Sequence, residues 1–280
     1  MKLKLPGLLP MCLLLLASTS CGSNTTSSRQ KADTTQDDNQ IEEQTVSYNA
    51  GGVSMNGYVV YDPARTGRLP IVLVAPEWWG LNDYVKMRAR QLADLGYLAM
   101  AVDLYGNGVV AHTPEEAQKL TAPFYADPHL CENAIRAALA KAMTLEKADT
   151  SRLAAIGYCF GGYVVLNAAK LGVPFNAVVS FHGGLGGVPP KKDSVTARFL
   201  ICHGAADQFV TEKEVAAFKK QMDSAGILYT FKDYPNATHA FTNPASTETG
   251  RKFNIPIIYN PAADTASWND MKIFLREVLR

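Results

Sequence analysis

The chain has almost no surplus of charge. Its 27 lysines and arginines face 26 aspartates and glutamates, for a formal net charge of +1. So small an imbalance gives no broad field to draw the protein onto nucleic acid or an anionic membrane surface. Long basic runs and interleaved aromatic and basic residues are missing as well, which argues against RNA or DNA as a partner. No internal repeat is evident. Cysteine is scarce, with five in 280 residues, and none stands in a zinc-ligand spacing, so no metal is expected. The apolar stretch Leu8–Ala17 is too short to span a bilayer as a helix.

That stretch is nevertheless informative. Lys2 and Lys4 precede it, and Ser18, Thr19, Ser20 and Cys21 follow. A positive start, a short apolar middle and small residues read as a secretory signal over 1–20. The ending Ser20-Cys21-Gly22 resembles the signal of a bacterial lipoprotein, in which that cysteine is acylated after cleavage, although Ser18 stands where leucine is usual. The expectation is an exported protein held in the cell envelope by a lipid on Cys21, with no other membrane contact. Residues 21–43 are mostly Ser, Thr, Asn, Gln and Asp, too polar to offset chain entropy, and read as a flexible tether. The folded domain is expected over 44–280, as a monomer.

Hydrophobic residues at 47% against 19% charged are enough for that domain to bury a core. Five continuous apolar runs recur: IVLVAP (71–76), YLAMAVDLYG (97–106), AAIGYC (154–159), AVVSFHGG (177–184) and RFLICHGAAD (198–207). Continuous rather than alternating runs suit strands covered on both faces. Helical patterns separate them. DYVKMRARQLADLG, for example, carries Val85, Met87, Leu92 and Leu95 on roughly one face and stops at Gly96. This alternation predicts an α/β fold, a mainly parallel sheet with helices on both faces, preceded by an antiparallel pair at QTVSYNA and MNGYVVYD. In such sheets ligands bind beyond the carboxyl ends of the strands.

Three residues of complementary chemistry stand at such ends. Cys159, in GYCFGG, closes one apolar run just before a helical pattern, the strand–turn–helix elbow that presents a nucleophile. Gly157 and Gly161 fit a turn with no room for side chains. The elbow leaves the amide of Phe160 free for an oxyanion, and the helix N-terminus favours negative charge. A thiol nucleophile needs a base, and the base an orienting acid. Asp207 follows RFLICH in the turn GAAD, and His239 lies in ATHAF after ILYTFKDYP. Asp233 is a rival acid, but it falls within a strand pattern rather than beyond it. His182 also follows a run and is a candidate wall of the site. His203 directly follows Cys202, so in a strand the two side chains point apart and cannot share a metal. Beyond the leader and Cys21, Cys131, Cys159 and Cys202 leave an odd thiol. FLICH makes Cys202 a core residue, and a Cys131–Cys202 disulfide stays open.

GYCFGG, GAADQFV and THAF in this order resemble the dienelactone hydrolase family of α/β-hydrolases, as do PEWWGLNDYVKMRARQLADLGY and AVDLYG. The similarity runs from about Val46 to Arg280. It implies a Cys159–His239–Asp207 triad without cofactor, acting on a small ester or lactone through a thioester. It also implies that Glu77 contacts the resting thiol and moves when substrate binds, and that the amide of Trp78 is a second oxyanion donor. One departure is clear. The family's type enzyme grips a substrate carboxylate with two arginines. Here one position is Asn243, and the helix expected to carry the other, TPEEAQKLTAPF, has Lys119 as its sole cation. Trp78, Trp79, Phe160 and Phe241 suggest an aromatic-lined pocket instead. The rival from another class is a non-catalytic surface lipoprotein that uses the same fold to bind.

Overall fold

The computed structural model describes residues 41–280. The chain opens with an antiparallel hairpin, β1 (Glu42–Ala50) and β2 (Val53–Tyr61). Its two-residue turn is Gly51-Gly52, with φ of 59° and 88°. Positive φ at both positions matches the twist of the flanking strands, and only glycine adopts it without cost. Alternation then takes over: β3 (Leu69–Ala75), α1 (Asp83–Asp94), β4 (Leu98–Ala101), α2 (Pro114–Ala126), α3 (His129–Met143), β5 (Ala148–Tyr158) and α4 (Phe160–Lys170). It continues with β6 (Ala177–Phe181), β7 (Arg198–Gly204), α5 (Glu212–Ala225), β8 (Tyr229–Tyr234), α6 (Ser246–Phe253) and α7 (Pro261–Val278). Helix starts follow capping chemistry. Asn82, Thr113, Thr211 and Asn260 each accept a backbone N–H from the first turn they cap, and Pro114 and Pro261 occupy first helical positions.

The eight strands form one sheet in the order β1-β2-β4-β3-β5-β6-β7-β8. Pairing is antiparallel at β1/β2 and β2/β4 and parallel from there on. This is the α/β-hydrolase architecture. Strand sides alternate, and the alternation separates two cores. Ile71 and Leu73 join Val178, Phe199 and Ile201 beneath α3, α4 and α5, while Val72 and Val74 join Val179 and Leu200 beneath α1 and α7. Burial on both sides explains the unbroken apolar runs, since all seven residues of β3 are buried. Each fully buried Val, Leu or Ile contributes roughly 1.5–3 kcal/mol.

Two expectations need correction, and one open pairing is decided. The tether is expected to run to residue 43, yet Glu42 and Glu43 already pair with Tyr61 and Val60, and Glu43 chelates the guanidinium of Arg90 at 2.6 and 3.1 Å. The buried face of α1 is Val85, Arg88, Ala89, Leu92 and Ala93; Met87 is half-buried and Leu95 exposed. Cys131 and Cys202 are free thiols in different cores, on opposite sides of the sheet, so they cannot pair. The leader, Cys12 and Cys21 lie outside the described residues. Among those described, no helix is long and apolar enough to cross a membrane.

Candidate active site

The strand order reverses around β3, which has β4 on one side and β5 on the other. A crevice opens beyond the carboxyl ends of the strands at such a reversal. Glu77 follows β3 there and Cys159 follows β5. Cys159 adopts φ 52° and ψ −116°, a conformation a non-glycine residue holds at roughly 1–3 kcal/mol. The surroundings enforce it. Its amide donates to the carbonyl of Phe181 at 3.0 Å and to Nδ1 of His182 at 3.1 Å. A Cβ on Gly157 would lie 2.1 Å from the carbonyl oxygen of Gly161, and one on Gly161 would lie 2.3 Å from that of Ala75. The two glycines therefore let α4 start directly against β5 and β3. Phe160 begins that helix, so its amide has no acceptor within the helix.

His239 stands on the loop after β8, and an isolated parallel bridge to Ile257 ties it down. Its Nε2 lies 3.0 Å from Sγ of Cys159, and its Nδ1 lies 2.8 Å from Oδ2 of Asp207. Oδ1 of Asp207 accepts the amides of Phe209 and Val210 at 2.8 and 3.2 Å, which fixes the carboxylate. Burial opposes charge on His239, but the Cys159 sulfur and Asp207 outweigh it and raise the imidazole well above its ordinary value. Burial likewise opposes ionisation of Asp207, and His239 with the two amides reverses it, lowering the carboxyl. The acid that meets the histidine is thus Asp207; Asp233 is an exposed residue of β8.

Glu77 is buried, and burial raises its carboxyl to about 7 against the opposing pull of Asn243, His239 and Arg88. Its Oε2 accepts from Nδ2 of Asn243 at 2.7 Å. The resting contact between Glu77 and the thiol is not what the structure holds: Asn243 engages the carboxyl and the imidazole engages the sulfur. Trp78, Trp79 and Phe160 line a cavity of about 320 Å³ that also reaches Glu77, Cys159 and His239. Two expected wall residues do not. Phe241 is fully buried in the core, packed on His182 and Tyr234. His182 lies beneath the elbow, where its backbone takes a φ of 42° and its ring accepts the Cys159 amide.

That histidine leads into a buried polar chain that sequence reasoning missed. His182 Nε2 lies 2.7 Å from the Thr242 hydroxyl, which lies 2.6 Å from the hydroxyl of Tyr84. With Nδ1 accepting, Nε2 carries the proton and donates to Thr242. Burial, then the nearby His239 and Arg88, push the His182 imidazole well below its ordinary value, in keeping with a neutral ring. Arg88 donates to the carbonyl of Thr242 at 2.7 Å and pairs with Asp264, joining α1 to α7. The available signal was Arg88 itself, an arginine three residues after Val85 and four before Leu92, on the face that must be apolar.

The profile of the dienelactone hydrolase family matches residues 55–279. The chain belongs to the dienelactone hydrolase family. A candidate carboxymethylenebutenolidase of Methylorubrum extorquens is 31% identical over 191 residues, 64% of this chain and 65% of that protein, so the match spans just under two thirds of the relative. A candidate 2-oxo-3-(5-oxofuran-2-ylidene)propanoate lactonase of a Bradyrhizobium species is 29% identical, over 76% of this chain and 86% of its own. Among solved structures, a dienelactone hydrolase-like promiscuous phosphotriesterase from metagenomic libraries superposes with a TM-score of 0.80 at 32% identity, covering 86% of this chain and 99% of that one. This dienelactone hydrolase family member is accordingly a hydrolase.

Proposed function

We propose that this hydrolase cleaves a carboxylic ester or lactone with Cys159 as nucleophile. The observation that carries the reading is the continuous chain Sγ–Nε2 at 3.0 Å and Nδ1–Oδ2 at 2.8 Å, built at a strained elbow. His239 takes the thiol proton as sulfur bonds to the acyl carbon. The amides of Phe160 and Trp78 receive the oxyanion. The carbon–oxygen bond breaks, the leaving alkoxide takes the proton from His239, and a thioester remains. Water, deprotonated by His239, then attacks that carbonyl and releases acid and thiol. Asp207 keeps the imidazole oriented and stabilises its charged form. Glu77 lines the same cavity as Cys159 and, once its carboxyl ionises near pH 7, opposes a second negative charge there, so Glu77→Gln should speed iodoacetamide alkylation of Cys159 above that pH. From the N-terminal leader and the ending Ser20-Cys21-Gly22, we also propose that the domain sits outside the cytoplasm on a lipid at Cys21, which mass spectrometry of the mature N-terminus would reveal.

The test is turnover of an ester, lactone and phosphotriester panel by the native protein and by Cys159→Ala. The variant should lose turnover while keeping its fold, and His239→Ala should lose about as much, because the members act as a unit. Full activity in Cys159→Ala would reject the assignment. A non-catalytic binding module would turn over nothing, and Cys159 would alkylate no faster than the buried Cys131 and Cys202.

A further inference from the structure

Among the described residues, two carboxyl groups but no lysine or arginine line the cavity that reaches Cys159. Glu77 is engaged by Asn243. The other is Glu214, in the first turn of α5. Thr211 caps that helix, and an acid three residues later would ordinarily return its side chain to the cap's own amide. Glu214 bonds elsewhere. Its Oε1 accepts the amides of Leu185 and Gly186 at 2.6 and 3.1 Å. Two donors on one oxygen fix the group, and its second oxygen takes no hydrogen bond from any described residue. Lys170 feels the charge of Glu214 but is no part of this wall. It is fully buried, its Nζ is 3.4 Å from the carbonyl of Leu185, and it does not line the cavity.

Aromatic rings make up much of the remaining wall. Trp78, Tyr125, Phe160 and Phe209 face the same cavity as Glu214, and the rings of Tyr125 and Phe160 lie 5.7 Å apart. Aromatic faces attract alkylammonium groups, most strongly where water is displaced. A carboxylate among them adds a full charge of the same preference. A substrate carboxylate would meet that charge with no lysine or arginine in the wall to receive it, and the His239 imidazole there is already paired with Asp207. Over the few ångströms of such a cavity, the difference between like and opposite charge amounts to about tenfold or more in rate or affinity, after screening.

We infer that Glu214 sets the charge preference of this pocket, admitting substrates that carry an alkylammonium group and turning away those that carry a carboxylate. The inference takes its chemistry from the cleavage reading above. Its test does not depend on turnover. Cys159 is modified with methanethiosulfonates of similar size bearing a trimethylammonium, a methyl or a sulfonate, and the rate at Cys159 is followed by peptide mass spectrometry. The cation-to-anion ratio of the native protein, relative to that of a free thiol, should be about tenfold. It should fall at least about threefold in Glu214→Gln, which keeps an oxygen for the two amides, and should invert in Glu214→Lys. A parallel arm compares kcat/KM for 4-nitrophenyl esters whose acyl tails end in trimethylammonium, methyl or carboxylate. Each ratio is internal to one protein, so partial loss of fold cancels. Unchanged ratios in both variants would overturn the role of Glu214, whether or not esters are cleaved. Absence of ester turnover above the Cys159→Ala background would instead reject the cleavage reading, and the thiosulfonate ratios would still decide the charge preference.

Discussion

Replacing Glu77 with Gln should stabilise the protein, and only above a definite pH. Burial raises the Glu77 carboxyl from an ordinary 4.5 to about 7. Between those values the native protein keeps a proton that the unfolded chain releases. The unfolded state then binds fewer protons, so stability declines as pH rises through this window. The contribution is whole below about 4.5 and gone above about 7, where the folded state must hold a buried charge. The span corresponds to about 3 kcal/mol. Glutamine cannot ionise, and its amide oxygen can still accept from Nδ2 of Asn243. The advantage of the variant should therefore be near zero at pH 4.5 and approach about 3 kcal/mol at pH 8. Urea denaturation of both proteins across this range, followed by far-ultraviolet circular dichroism, measures it, with equal m-values showing that the unfolded states match. A gap that stays within about 0.5 kcal/mol from pH 4.5 to 8 would refute the claim that Glu77 is held protonated by burial.

Two further substitutions test the elbow and what lies beneath it. Thr242→Val keeps shape but removes the hydroxyl that serves both His182 and Tyr84, so a loss of about 2–3 kcal/mol is expected from denaturation midpoints, with Thr242→Ser within about 1 kcal/mol of native. Gly161→Ala forces a methyl to 2.3 Å from the Ala75 carbonyl oxygen, backbone that cannot step aside, and should cost at least about 2 kcal/mol; a native-like midpoint would mean that α4 can shift off β3.

Much of this protein is legible in its residues because burial on both sheet faces writes itself as unbroken apolar runs. The runs at 71–76 and 154–159 overlap β3 and β5, and Glu77, just past the first, and Cys159, which closes the second, reach one cavity. Composition could not show where polar groups turn inward. His182 follows β6 just as Cys159 follows β5, and both take a positive φ, yet the His182 ring lies under the elbow, accepting the Cys159 amide, instead of in the pocket. Phe241 looks like a pocket aromatic from its distance to His239 and packs in the core, because chain neighbours on a tight loop need not share a side. Glu214 and Phe209 join the site from the start of α5 and the turn before it, elements whose approach to Cys159 is set by sheet order and not by spacing in sequence.

The separation of the domain's thiols has a consequence for the lifetime of the enzyme. Cys131 and Cys202 are buried in opposite cores, and burial pushes both up to about 12. Neither can approach Cys159 without opening a core. Were Cys159 oxidised to a sulfenic acid, no second sulfur within the domain could condense with it, so the first oxidation would have no internal rescue. Repair would then require a thiol from outside the chain, and in an oxidising compartment the working life of each molecule would be set by how quickly that reductant arrives before the next oxidant does.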